Sequence, residues 1–590
     1  MDEKKKRRSG QRPKKRRFVG NQFIGKDKKP REIEVSKDGK QSASGKKLSN
    51  SQFDLDSNLM KCDNDFIGYR IVDLFLLFTN LSSVSCCNKC HGKLLFQEKS
   101  LRGLSSTIEV KCNNCDFVSS FSTSSMIGDR RNAPEINVRT VVAMRSIGKG
   151  FESLNKFCTI MSIPCYIDRK SYGEINNKLA VAAKEVAKES MLNAVKEEKS
   201  VSGECVTVSG DGTWKTRGHT SKVGVCTLIG AESGKALDVE VMSSFCKGCD
   251  AYKGRRSGPV YQKWYLRHKN VCRRNHTGSA GMMEVEGMLR IFQRSERQYE
   301  VKYSHYIGDG DSKTFNALSD KNPYGNDVSV EKVECVGHVQ KRMGTRLRKL
   351  KTSYGKTKLG DGKTIGGKGR LTDSLIETLT LYYGNAIRGN SDDAGKMQLA
   401  VWAVWAHTFS TDEVPRHQFC PETADTWCTY NAAKLNGTLG EYKHKTSYAQ
   451  CIKDVIKPIF KDLAHPKLLR RCLGGKTQNP NESLNSLIWN FSPKTIGSGL
   501  VIAEIATFLA VSTFNDGQQS FVKIFDFLGL KVDSGLCLGL KKLDAKRIRV
   551  GRQRILASTL EARRAKRRKT TIDNERLARK EGPTYSCGDF

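Results

Sequence analysis

From Cys205 the chain alternates apolar and polar residues with the period of two that marks a half-buried strand. Val206 and Val208 fall on one face, and Thr207, Ser209 and Asp211 on the other. An apolar run from Lys222 to Ile229 follows, and then Leu237, Val239 and Val241 alternate with Asp238 and Glu240. Short glycine-containing turns join the three runs, as an antiparallel meander requires. The spacing turns helical from about Met282 to Arg297, a fourth strand reads from Val301 to Ile307, and a fifth from Val328 to Val336. Three sequential strands followed by alternating helix and strand predict an α/β fold with a mixed five-stranded sheet.

Beyond about Arg348 the pattern is helical, with glycine-rich loops near 354–370 and an apolar segment from Leu399 to His407. A helix beginning near Asn481 sets Leu484, Leu487, Ile488 and Phe491 on one stripe and Glu482, Asn485, Ser486 and Trp489 on the opposite face.

At 590 residues the chain is long enough for several domains. Its 101 Lys and Arg against 62 Asp and Glu give a formal charge of +39, far beyond what solubility needs, and call for a polyanionic partner. Nucleic acid fits best, because each neutralised phosphate releases counterions. A membrane anchor is not expected: the apolar stretch Leu500 to Phe514 is interrupted by Glu504 and falls short of the roughly 20 residues a span requires, and the N-terminus lacks a secretory core. The first fifty or so residues, with Lys4 to Arg8 and Lys14 to Arg17, are too polar to fold and suit nuclear import or phosphate contact. Near the other end, Leu543 to Val550 and the basic stretch Ala562 to Lys569 read as one long basic helix fraying into a tail.

Many of the 20 cysteines fall in C-x2-C pairs, which in an intracellular chain read as metal ligands. Cys87, Cys90, Cys112 and Cys115 have zinc-ribbon spacing, with Cys86 and His91 as bystanders. Cys246 and Cys249 with the helical pair His268 and Cys272 make a second set of four, His276 being an alternative ligand one turn on. His417, Cys420 and Cys428 are three local candidates whose fourth partner must come from elsewhere, Cys472 being one choice. Closed nitrogen and sulfur sites of this kind hold structural zinc and do not activate water.

Three acids stand in more specific settings. Asp211 and Asp309 end strand-like runs, in Cys205 to Trp214 and Tyr306 to Asp311, and Glu482 opens a helix in Thr477 to Asn485. Carboxylates at strand ends can hold Mg²⁺ or Mn²⁺ rigidly, and two such ions about 3.5–4 Å apart clamp both oxygens of an in-line phosphoryl displacement. Taken singly, Asp-Gly is a turn dipeptide and Glu482 a residue favoured by the helix dipole. Asp309 shares a face with Val301, Tyr303, His305 and Ile307 by period two, whereas Asp311 lies beyond Gly310, where it can cap a helix beginning near Ser312.

Together Asp211-Gly-Thr-Trp214, Gly308-Asp-Gly-Asp-Ser312, Cys335-Val-Gly-His338 and Asn479-Pro-Asn-Glu-Ser-Leu-Asn485 resemble the catalytic landmarks of Mutator-like DDE transposases, in particular the animal Phantom-type branch, over roughly residues 60–520. The resemblance implies an RNase H-like catalytic domain with a large all-helical insertion before the third acid. The 98 residues from Asp211 to Asp309 and the 173 from Asp309 to Glu482 leave room for it. It implies Asp211, Asp309 and Glu482 as the metal-binding triad, with Cys335, His338, Asn485 and Asp311 near the catalytic centre. As bare sequence, Cys335 and His338 on a strand-to-helix corner are also consistent with simple packing.

The expected organisation is a disordered basic tail over 1–55, a zinc-ribbon module over 56–130, and a helical linker or DNA-binding region over 131–200. The first part of the catalytic core spans 201–351 with a zinc-binding insertion at 245–277, and the helical insertion spans 352–475. The second part of the core, with Glu482, spans 476–530, and a basic C-terminal helix and tail spans 531–590. The function expected is a nuclear DNA transposase that cuts and joins double-stranded DNA at transposon ends by two-metal-ion chemistry, working as a homodimer or higher oligomer, with the ribbon and the basic ends reading the terminal repeats. The alternatives are a domesticated, non-catalytic DNA-binding or regulatory protein and a nuclease acting on RNA–DNA hybrids, the latter disfavoured by the insertion and the zinc modules.

Overall fold

The computed structural model describes residues 41–49, 68–128, 133–165, 167–216, 220–308, 312–423, 426–444, 448–495, 497–556 and 562–563. Two of the acids singled out above, Asp309 and Asp311, lie outside these residues, as do the basic runs at 4–8 and 14–17 and most of 562–569. The basic N-terminal region is not featureless throughout: helix α1 (Ala43–Ser49) is described, and its Lys47 ammonium sits 3.2 Å from the centroid of the Phe514 ring.

A short helix α2 (Leu74–Val84) leads into a three-stranded antiparallel sheet of β1 (Leu94–Arg102), β2 (Ser105–Cys112) and β3 (Val118–Ser122). Helix α3 (Glu135–Ser146) and the 34-residue α4 (Arg169–Ser202) follow. The central sheet opens with the antiparallel meander β4 (Cys205–Trp214), β5 (Val223–Gly230) and β6 (Ala236–Ser243). A cysteine-rich excursion containing α5 (Pro259–His268) separates β6 from helix α6 (Ala280–Tyr299). Strand β7 (Lys302–Gly308) then lies parallel to β4 on its free side, and after α7 (Ser312–Lys321) strand β8 (Glu331–Glu334) lies parallel to β7. The order is therefore β8-β7-β4-β5-β6, a mixed five-stranded sheet as expected.

A helical block follows, of α8 (Val336–Tyr354), α9 (Asp373–Gly389), α10 (Ala394–Thr408) and α11 (Gln450–Leu463), with its own apolar core around Val339, Leu379, Val401 and Phe460. The chain then returns to the sheet with α12 (Asn479–Phe491), α13 (Leu500–Asp516) and, farther on, α14 (Ser534–Ile555).

Both faces of the sheet are covered. On one, Val223 and Val225 of β5 and Val239 and Val241 of β6 join a core with α3, α4, α12 and α13, so the region over 131–200 forms a layer of the domain. On the other, Val206 and Val208 of β4 meet Met288, Ile291 and Phe292 of α6. α6 approaches closely because it presents a glycine: a Cβ on Gly287 would stand 2.4 Å from Cys226 Sγ on β5.

Three details depart from the sequence reading. β4 does not stop at Asp211; the Asp-Gly pair stays in the ladder, with Asp211 opposite Thr227 and Trp214 opposite Gly224, because β5 continues alongside. β7 does not keep one period: a bulge between Tyr303 and His305 lets Tyr303 and Tyr306 both pack on Phe292, three residues apart, and His305 moves to the opposite face from Tyr303. β8 is shorter than the Val328-to-Val336 reading, because Cys335 already caps α8.

Replacing Gly287 with Ala should destabilise the fold by about 1–2 kcal/mol in urea melts, the overpacking outweighing the better helix propensity of Ala. Adding Cys226→Ala should recover most of the loss; equal stability of Gly287→Ala and wild type would remove the close approach as a constraint.

Candidate active site and metal clusters

The face of β4 that carries Thr207, Ser209, Asp211 and Thr213 is covered by α12 through polar contacts. Ser209 Oγ donates to Asn481 Oδ1 at 2.7 Å, Asn485 Nδ2 donates to Asp211 Oδ2 at 2.7 Å, and Trp489 Nε1 donates to Thr213 Oγ1 at 2.8 Å. Asn481, fully buried, also donates to the carbonyls of Ser209 and Thr227 at 3.0 and 3.1 Å. Thus, of the face expected to oppose the apolar stripe of this helix, Asn485 and Trp489 are turned to the strand. Leu484, Ile488 and Phe491 fill the core beside it, and Glu482 and Ser486 are exposed. Glu482 lies in the first turn of α12, three residues before the Asn485 that holds Asp211.

The chain entering α12 ties in two further elements. Gln478 Nε2 donates to the carbonyl of Gly210 at 2.7 Å, and the Gln478 amide donates to Cys335 Sγ at 3.4 Å. The Cys335/His338 pair at the start of α8 is thereby one residue removed from the backbone beside Asp211. Burial raises the Cys335 thiol pKa, but hydrogen bonds from His338 and the Gln478 amide outweigh it and set the value below the ordinary one. At the far end of α12, the buried Lys215 Nζ donates to Ser492 O and Oγ at 3.1 and 3.0 Å and to Pro493 O at 2.7 Å. Desolvation, with a smaller contribution from Lys494, lowers its pKa to about 8. On the neighbouring strand Ile307 pairs with Ser209, and β7 ends at Gly308, the residue before Asp309.

Three clusters of metal-ligating side chains form, each with its four donor atoms within 4.8 Å of one another: Cys87, Cys90, Cys112 and Cys115; Cys246, Cys249, His268 and Cys272; and His407, His417, Cys420 and Cys428. Sulfur pairs such as Cys90–Cys112 at 3.4 Å and Cys249–Cys272 at 3.5 Å are far too long for disulfides. They match the edge of about 3.3–3.8 Å of a tetrahedron with zinc–ligand bonds of about 2.0–2.3 Å.

The fourth partner of the third cluster is His407 at the end of α10, with Nδ1 3.2 Å from His417 Nδ1 and 3.6 Å from Cys428 Sγ. Cys472 is instead buried in the helical core, its thiol donating to Leu468 O. His276 is not in the second cluster, because Glu286 and the Ser279 carbonyl take its two ring nitrogens. Each histidine-containing set is braced: Trp264 stacks on His268 at 4.6 Å, Tyr430 stacks on His417 at 4.1 Å, and His417 Nε2 meets Ser410 Oγ and the His444 ring that Asp412 orients.

Sequence reasoning singled out Asp211, Glu482 and Asn485 but missed Gln478, Asn481, Lys215 and His407. Asn481 had a signal, since it stands four residues before Asn485 on the same helical face. His407 had only its place at the end of an apolar helical run.

A model of the Mutator-like transposase family matches residues 68–428, more than half of the chain; the match takes in Asp211 and all three clusters and ends before Glu482. No curated protein matches the chain closely enough to count as a relative.

Elemental analysis of the purified chain should find three zinc ions, falling to two in His407→Ala and remaining three in Cys472→Ser. Loss of a zinc in Cys472→Ser alone would restore the thiol as the fourth ligand. Because the folded pKa of Lys215, about 8, lies below its ordinary 10.5, the unfolded chain binds the extra proton between these values. This lysine therefore adds stability as pH rises from about 8 to about 10.5 and subtracts it below. The difference in pH slope between wild type and Lys215→Met over that window measures the contribution, and identical slopes would refute it.

Proposed function

The chain belongs to the Mutator-like transposase family, and from that membership we propose that it is a DNA transposase whose sheet and α12 form an RNase H-like core, with Asp211, Asp309 and Glu482 as the acids that hold the catalytic cations. The observation that carries this reading is the contact between β4 and α12. Asn485 fixes the carboxylate of Asp211, and Glu482 is exposed one turn earlier on the same helix, which supports a shared site for two acids 271 residues apart in the sequence. Asp309 follows Ile307 by two residues as Asp211 follows Ser209, and Ile307 and Ser209 are paired. Three oxygen donors of this kind suit Mg²⁺ or Mn²⁺, whereas the closed sulfur and nitrogen clusters suit zinc in a structural role.

When bound, the hard cations supply Lewis-acid activation of the attacking oxygen and neutralisation of the phosphate charge. The protein's part is positioning. Asn485 orients the Asp211 carboxylate, Gln478 fixes the backbone at Gly210, and the Cys335/His338 pair braces the segment from which α12 departs. Strand cleavage at a transposon end followed by attack of the freed 3′-hydroxyl on target DNA uses this one site twice. Such a reaction takes place in the nucleus, and a homodimer or higher oligomer brings two ends together. Among the described residues no helix is long and apolar enough to cross a membrane.

Asp211→Ala and Glu482→Ala should abolish Mg²⁺-dependent cleavage of terminal-repeat DNA and leave DNA affinity nearly unchanged, since phosphate contacts come from Lys and Arg. Asn485→Ala should slow cleavage about 10–100-fold and raise the Mg²⁺ concentration needed, as loss of an orienting partner does. Asp309→Asn should be inactive and Asp311→Asn active. A wild-type protein that binds terminal repeats but never cuts them would instead establish the non-catalytic alternative.

A further inference from the structure

Between Phe245 and Asn275 nine lysine and arginine residues stand against one acid, Asp250. All nine are exposed. The salt bridges that flank the segment join Lys235 to Glu197 and His276 to Glu286, and among the described residues none falls inside it. The ribbon expected to read DNA is different: from Cys87 to Ser122 it carries five basic residues against three acids, and Glu109 holds both Lys99 and Lys111 at 2.6 Å. Three of the six cations of the basic helix α8 are also paired, Arg342 with Glu334, Arg346 with Asp462 and Lys351 with Asp373.

The segment is also braced by side-chain contacts. Helix α5 has no buried residue, and ten residues are too few for a helix to persist in water by itself. It is held from one side by the cluster of Cys246, Cys249, His268 and Cys272 and by the stack of Tyr252, Trp264 and His268. The excursion leaves directly from the edge strand β6, and its C-terminal end is clamped back onto that strand: Asn275 N donates to Ser243 O at 3.0 Å, Asn275 Nδ2 to Val241 O at 2.8 Å, and Ser243 N to Asn275 Oδ1 at 2.6 Å. Exposed cations on a braced module fixed to the sheet that carries Asp211 are suited to gripping a polyanion at a set position.

Resting on the transposase reading, we propose that this metal-held excursion grips the phosphate backbone of duplex DNA and docks it at the β6 edge of the sheet. The test uses the full-length, zinc-loaded protein. Arg255, Lys263, Arg267 and Lys269 are changed together to Gln; Arg256 is left because its guanidinium caps the Cys249 carbonyl. A control carries Gln at Lys89, Lys93, Lys99 and Lys111 of the ribbon. Affinity for duplex DNA is measured by fluorescence anisotropy over a range of KCl, alongside binding to duplex RNA and to vesicles containing phosphatidylserine. Every phosphate that is no longer neutralised lowers the slope of log affinity against log salt by about 0.9, so the first variant should drop about 2–4 from its slope with its zinc content intact, and the control about none. An unchanged slope in the first variant, or an equal drop in the control, overturns the proposal while the transposase reading stands. Tighter excursion-dependent binding of RNA or vesicles than of DNA overturns the choice of duplex DNA. A wild-type protein that does not bind duplex DNA overturns both readings together.

Discussion

Four residues of α-helix advance about 6.0 Å, and two residues of β-strand about 6.6 Å. That near match lets α12 lie along β4 with one polar contact per helical turn: Asn481 to Ser209, Asn485 to Asp211 and Trp489 to Thr213. An apolar helix on an apolar strand slides at little cost, but here any slip leaves Asn481, fully buried and bonded to two backbone carbonyls, without partners. An unsatisfied buried polar group costs about 1–3 kcal/mol, so the polar ladder fixes the register. Because Asp211 is one of its rungs and Glu482 follows Asn481 in the same helix, the same ladder fixes the backbone from which both acids are presented. Lys215 at one end and Gln478 at the other hold the helix along its length.

The opposite face of the sheet is governed by a different constraint. There α6 comes close through Gly287, the bulge in β7 turns both Tyr303 and Tyr306 onto Phe292, and Gly210 leaves the space that the Tyr306 ring occupies. Over β4 and β7 this face is apolar and tightly packed, and toward β6 Arg290 and Arg294 of α6 pair with Glu240 and Asp238, so it gives rigidity without directing a catalytic group. The division explains the composition of β4: small or apolar residues at 206, 208, 210 and 212 face α6, and polar ones at 207, 209, 211 and 213 face α12.

The parts of this arrangement that repeat regularly were legible in the sequence. The period of two gave the meander and the face on which Asp211 lies, and the helical period gave α6 and the stripe Leu484, Ile488 and Phe491. Tertiary pairing decided what was not legible. Asp-Gly is a turn signal in isolation, yet β5 keeps Asp211 and Gly212 in the ladder. The bulge beside Tyr303 adds one residue and reverses the faces after it, with no marker in the local sequence. The first two metal clusters draw on closely spaced pairs and were readable as spacing. The third takes His407 from the end of a helix that reaches the other ligands only in the fold.

Covering both faces of the sheet also determines where the charge can go. A lysine or arginine beneath α6 or α12 must be neutralised or desolvated, as the depressed pKa of Lys215 shows. With a surplus of 39 positive charges, the chain must carry most of its cations outside the packed layers. Short excursions have too little apolar surface to hold such charge in a fixed shape by packing alone. Four ligands around a metal hold a few tens of residues without a core, and that leaves the remaining surface free for arginine and lysine. In the excursion between β6 and α6 four cysteine and histidine donors and an aromatic stack draw the chain together, its C-terminal end pairs with an edge strand, and the cations stay exposed. The same economy of core explains why metal-ligating clusters recur in three segments outside the sheet, while the sheet carries its carboxylate on a strand held by hydrogen bonds.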